Sequence, residues 1–151
     1  MFVLEIPSSE HLPADLSLTT PRFVCLIAWD ARNASVDEIS SVAVGLLRQG
    51  AVYVCAWGPN CERVHDIIDE EHVGPNPSAD ESGVVMTTWH AKESLAEAIR
   101  FALVDAWPDE FYAENCGSTL GVAIGSSSWA AEIRTAFSSP EQFVQHLDSE
   151  V

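Results

Sequence analysis

Four apolar runs, each followed by a stretch of helical spacing, leave this chain few ways to fold. Phe23-Val24-Cys25-Leu26-Ile27-Ala28-Trp29 is apolar throughout, with no polar alternation, which is the pattern of a strand buried on both faces. From Ser35 to Gln49, Val36, Ile39, Val42, Ala43, Leu46 and Leu47 recur at helical spacing. Ser35 stands as N-cap, Glu38 completes a capping box and Gly50 stops the helix. A second buried run, Ala51 to Trp57, follows at once. Strand, helix and strand together have the length of one right-handed βαβ unit, so the sheet is expected to be parallel.

The same rhythm continues along the chain. Asn60 can cap a helix from Cys61 to roughly Glu70, and Gly74 to Gly83 reads as a loop. Val84 to Trp89 is a third strand, and a helix follows from about Lys92 to Ala106, stopped by Pro108. Trp107 to Gly117 is a polar, aromatic connection ahead of a fourth strand, Thr119 to Ile124. Trp129 to Phe137 is a short helix, and Ser139-Pro140-Glu141-Gln142 opens a last one. Residues 1–21, with Pro7, Pro13 and Pro21, read as an irregular N-terminal arm in which Phe2 to Ile6 can add an edge strand. The expected architecture is one α/β domain over 22–151: a three-layer, mostly parallel sheet of four to five strands, of flavodoxin or Rossmann type, with a C-terminal helix.

Charge narrows the partners. Against 23 Asp and Glu there are 7 Lys and Arg, a formal net charge of −16. Nucleic acid and anionic membrane, both bound through clustered cations, are not expected partners, whereas a basic protein is attracted. Acidity also serves solubility in a chain that is 47% hydrophobic. Cys25 and Cys55 lie inside apolar runs, so the four cysteines read as reduced thiols and the expected location is cytoplasmic. The first residues hold no basic n-region and no long apolar stretch, so neither a secretion signal nor a membrane anchor is expected.

In open parallel sheets ligands sit beyond the carboxyl ends of the strands. Trp29, Trp57, Trp89 and Trp129 stand at or just past the four strand ends, either as a stacking floor or partner anchor, or as lids on the core. Asp30 and His90 follow two of them and can serve as an acid/base or metal-binding pair if strand order brings them together, or as turn and helix-entry residues if it does not. Cys61, His65 and Asp69 fall on one helical stripe, with Cys61 in the first turn, where the macrodipole favours thiolate. No CxxC accompanies them, so no metal is expected. Ser126, ahead of the helix of Trp129, is placed for an anion cradle or for helix capping. No phosphate-loop or dinucleotide fingerprint is present, and no cofactor is expected.

Three stretches, Arg22-Phe23-Val24-Cys25 with Ala28-Trp29-Asp30, Ala56-Trp57-Gly58 to Cys61-Glu62-Arg63-Val64-His65-Asp66, and Val85-Met86-Thr87-Thr88-Trp89-His90, resemble an uncharacterised bacterial family of small proteins, a domain of unknown function. The resemblance runs from Arg22 to Arg134 and implies a bacterial, cytosolic origin. It brings no catalytic residue, but it implies that the Cys61 to Asp66 helix and the Trp89-His90 pair belong to a shared pattern. Two functions follow from the sequence. One is an acidic protein-interaction module of a bacterial cytosolic system, neutralising a toxin or serving defence, with a protein partner or a homodimer. The other is a small-ligand-binding protein or enzyme with its site at the carboxyl ends of the strands.

Overall fold

The computed structural model describes residues 1–73 and 83–150. Five strands, β1 (Phe2–Ile6), β2 (Arg22–Trp29), β3 (Ala51–Trp57), β4 (Met86–Trp89) and β5 (Cys116–Ile124), form one sheet in the order β1-β5-β2-β3-β4. Every neighbouring pair is parallel. The helices are α1 (Val36–Arg48), α2 (Cys61–Val73), α3 (Leu95–Arg100), the single turn α4 (Glu110–Ala113), α5 (Ser127–Ser138) and α6 (Pro140–Ser149). The protein is thus α/β, with a five-stranded parallel sheet between helices, in a Rossmann-like or flavodoxin-like arrangement ending in a helix.

Alternation along the central strand builds two cores. Phe23, Cys25, Ile27 and Trp29 point to one face, against Ile39, Val42 and Leu46 of α1 and Val64 and Ile68 of α2. Val24, Leu26 and Ala28 point to the other, against Leu95 and Ile99 of α3 and Ala130, Ile133 and Phe137 of α5. Burial on both faces explains why β2 is apolar without interruption, and each fully buried Leu or Ile contributes about 1.5–3 kcal/mol. Gly121 lets α5 approach, since a Cβ there would lie 2.6 Å from Ile133 Cγ2.

Topology follows from the handedness of crossovers. The steps β2 to β3 and β3 to β4 move one way across the sheet and carry α1 and α2 on one face. The step from β4 to β5 moves back across the sheet and carries α3 on the opposite face, as right-handed connections require. Phe2–Ile6 pairs with β5 and forms one edge of the sheet, and β4 forms the other.

Local chemistry accounts for the boundaries. The capping box at Ser35 and Glu38 is present in both directions. Asn60 has a left-handed φ of 64°, and its carbonyl accepts the N–H groups of Arg63 and Val64 to start α2. The helix after β4 begins later than its periodicity suggests, because the Ser94 hydroxyl caps it by accepting the Glu97 N–H. It then widens into a π-helical turn over Phe101–Asp105. Strand β5 starts at Cys116, three residues earlier than its apolar run, because pairing with Arg22 extends it. The expected loop from Gly74 lies outside the described residues up to Gly83.

Candidate functional site

The strand ends divide the expected site residues into two groups. Strands β2 and β5 are neighbours, yet α1 leaves β2 on one face and α5 leaves β5 on the other. That topological switch point opens a crevice, as it does generally in doubly wound sheets. Here it is a cavity of about 270 Å³ lined by Ser8, Ser9, Trp29, Asp30, Asn33, Glu38 and Gly125. A second hollow of about 470 Å³, sharing Pro7 and Gly125, reaches Ser126, Ser127 and the Glu5–Arg134 ion pair.

Asp30 and Ser126, beside this crevice, are already engaged. Asp30 holds Arg32 through both oxygens, 2.9 Å to Nε and 2.7 Å to Nη2. The Arg32 guanidinium keeps the Asp30 carboxyl below the usual carboxylate range, so Asp30 is a paired anion and a poor proton acceptor. Ser126 accepts the Trp129 N–H at 3.2 Å, capping α5, and lies 3.1 Å from the Ser128 hydroxyl. Trp29 is buried and forms part of the floor.

The second group gathers two strands away, at the ends of β3 and β4. His90 is 4% exposed. Its Nε2 is 2.9 Å from the Thr88 hydroxyl and its Nδ1 is 3.0 Å from Glu93 Oε2. Its ring packs on Phe101 at 4.7 Å. Asp30 and His90 therefore belong to different groups, each with its own partner. Cys61 is buried, and removal from water pushes its thiol above the ordinary value despite stabilising backbone hydrogen bonds. Burial thus outweighs the helix dipole and leaves a weak nucleophile. His65 turns away from Cys61 toward Asp66 at 2.9 Å and Asp69 at 3.4 Å, and its ring packs on Trp89 at 4.6 Å. Among the described residues no group of three or more His, Cys, Asp or Glu is placed to hold a metal ion.

The tryptophans do not share one floor. Trp29 and Trp89 lie on the face of α1 and α2, Trp57 and Trp129 on the face of α3 and α5. Only Trp89 of the four is widely exposed, at 45%. Val84 and Met86, both exposed, precede it, but Met86 pairs with Tyr53 and Trp89 with Ala56, so alternation sets Met86 on the α3 face of the outer strand and Trp89 on the α2 face. Phe111, also exposed, stands beside Gly83, just ahead of that strand. Carboxylates border it: Asp109 accepts the Val84 N–H at 3.1 Å, Asp69 accepts the Thr87 hydroxyl, and Asp66 holds His65 under Trp89.

Thr88, Glu93, Met86 and Phe111 were not among the residues singled out from the sequence. The signal for the first two was the spacing Thr88-x-His90-x-x-Glu93, which places a hydroxyl and a carboxylate on either side of one imidazole. For Met86 it was alternation with Thr87 in a strand whose neighbours are continuously apolar.

A family model described as Domain of unknown function (DUF7684) matches residues 1–140. No curated protein and no solved structure matches the chain. No helix among the described residues is long and apolar enough to cross a membrane.

Proposed function

The chain belongs to the DUF7684 family, and from that premise we propose that it is an acidic protein-interaction module, docking a basic partner on the outer edge of its sheet. The observation that carries this reading is an edge strand with exposed apolar side chains on both of its faces, Met86 on one and Trp89 on the other, bordered by Asp66, Asp69 and Asp109. Exposed apolar side chains rimmed by charge are the anatomy of an interface. Five of the seven cations are spent internally. Arg32, Arg100 and Arg134 sit in ion pairs, Arg63 binds the carbonyls of Ala31 and Ala34, and Arg22 lies over the Tyr112 ring. The surface field is therefore strongly negative and steers a cationic protein inward. A bacterial cytosolic setting, with a toxin or a defence component as the partner, fits this chemistry.

The test is cross-linked affinity purification from cells that naturally make the protein, comparing wild type with Met86→Glu/Trp89→Glu. The expected result is a stoichiometric basic protein held by the wild type and lost by the variant. Equal recovery by both, or no stoichiometric partner, overturns the reading.

A second reading, a small-ligand protein or enzyme, is favoured by one observation, the crevice of about 270 Å³ at the switch point. Its only charged linings are Asp30 and Glu38, so it suits a small polar or cationic molecule. Screening small amines by thermal shift, with Asn33→Leu as control, tests it. A shift that survives in the variant counts against this crevice.

A further inference from the structure

The outer strand offers main-chain groups as well as exposed apolar side chains. In a parallel ladder the N–H and C=O of one residue point to the same neighbour, and the direction alternates along the strand. The His90 N–H donates to the Ala56 carbonyl at 2.9 Å, so Thr88 and Met86 also turn toward β3. Thr87 and Trp89 then present their N–H and C=O outward, where β4 has no neighbouring strand among the described residues. The next outward position back, Val85, donates its N–H to His72 Nε2 at 3.4 Å. Among the described residues, one side chain thus covers the start of the row and leaves the rest.

Charge selects the occupant. Asp109, Asp69 and Asp66 follow the strand from its start to its end, and Lys92 is the one Lys or Arg between Val84 and Ile99. A second copy would bring another net charge of −16 against the first, and a nucleic acid would oppose phosphate to carboxylate. An extended segment carrying Lys or Arg alternately with apolar residues meets both features. On the side of α2 its cations reach Asp66 and Asp69, and on the other side its apolar residues cover Met86. Resting on the interaction reading above, we propose that β4 accepts such a cationic segment of a partner protein as a sixth strand of the sheet.

The probe is a synthetic peptide of alternating Lys and Val, about ten residues long, the upper range of a strand. Amide hydrogen exchange of the whole protein is read by NMR with and without it. The expected result is slowing of exchange at Thr87 and Trp89 by about tenfold or more, a direct sign of new main-chain pairing. Two controls remove the pairing without removing charge. One is the same peptide methylated at alternate amides. The other is Thr87→Pro, which deletes an outward N–H and the hydroxyl bond to Asp69 but no bond to β3, so exchange is read at Trp89. Both are expected to abolish protection. Binding without protection at Thr87 and Trp89, or no binding at millimolar peptide, overturns strand addition, whereas the interaction reading falls only if purification yields no basic partner. Protection that rises with protein concentration and without peptide identifies a second copy and also overturns the proposal.

Discussion

Trp57 meets Trp129 edge to face, with ring centroids 4.9 Å apart and planes at 82°. Trp57 ends β3, and Trp129 lies in the first turn of α5, so the contact reaches across the carboxyl end of β2 on the α3 and α5 side. The Trp57 indole N–H also donates to the Glu93 carbonyl at 2.8 Å. One side chain thus ties together β3, α5 and the turn after β4. Half of the tryptophan recurrence at the strand ends is explained by this closure of the second core.

Such an edge-to-face pair has a coupling energy beyond the area it buries. Trp57→Ala and Trp129→Ala are each expected to cost about 2–3 kcal/mol, below the full range for Trp truncation because both rings are half-buried. The double variant should cost about 1 kcal/mol less than the sum. Urea unfolding of the four proteins measures the cycle, and strict additivity would show the rings to be neighbours without coupling.

Buried thiols set an alkaline limit on stability. Burial pushes the Cys55 thiol up to about 12 and the Cys25 thiol higher still, so both keep their protons in the folded protein. Unfolding lets them ionise near the ordinary value of about 8.5. Above that pH the unfolded state holds fewer protons than the folded one, so stability falls as pH rises. The slope is about 1.4 kcal/mol per pH unit for each thiol between roughly pH 9 and the folded value. Urea midpoints at pH 8, 9 and 10 test this, and Cys25→Ala/Cys55→Ala should flatten the decline.

Legibility in the sequence was uneven for physical reasons. Strands β2 and β3 were plain because burial on both faces leaves them apolar from Phe23 to Trp29 and from Ala51 to Trp57, and α1 because Ser35, Glu38 and Gly50 mark its ends. Strand β4 was harder to interpret. As an edge strand it carries Thr87 and Thr88, and its exposed apolar residues look like core in a linear sequence. The separation of Asp30 from His90 was not legible at all, since it depends on β3 lying between their strands, and strand order is set by long-range packing. Burial of Cys61 was equally hidden. Helical spacing placed it beside His65 on one stripe but not which side of that stripe meets the sheet.

Gly58 is where β3 leaves the sheet, and its φ of 116° is open only to glycine at low cost. A Cβ there would also stand 2.3 Å from the Trp29 carbonyl oxygen, which is backbone and has little room to retreat. Strain and overlap act together, so Gly58→Ala should cost about 3 kcal/mol or more. Differential scanning calorimetry checks this. A loss below about 1 kcal/mol would mean that β2 and β3 shift apart at their ends easily.

The Thr88–His90–Glu93 chain makes a prediction about proton placement and another about energy. Glu93 accepts at Nδ1, so the neutral imidazole carries its proton there and Nε2 accepts from the Thr88 hydroxyl. Nitrogen-15 NMR should find His90 as the Nδ1–H tautomer, and the reverse tautomer would require Thr88 to accept instead of donate. Replacing the ring by His90→Phe keeps the packing on Phe101 but leaves the half-buried Thr88 hydroxyl without this partner, while the part-exposed Glu93 turns to water, at a cost of about 1–2 kcal/mol. Glu93→Gln keeps an acceptor for Nδ1–H, and the Glu93 side chain is 39% exposed, so its cost should stay below about 1 kcal/mol. Urea unfolding separates the two outcomes. Equal losses would mean that the carboxylate charge holds this corner, and a much smaller loss for Glu93→Gln that orientation by hydrogen bonds does.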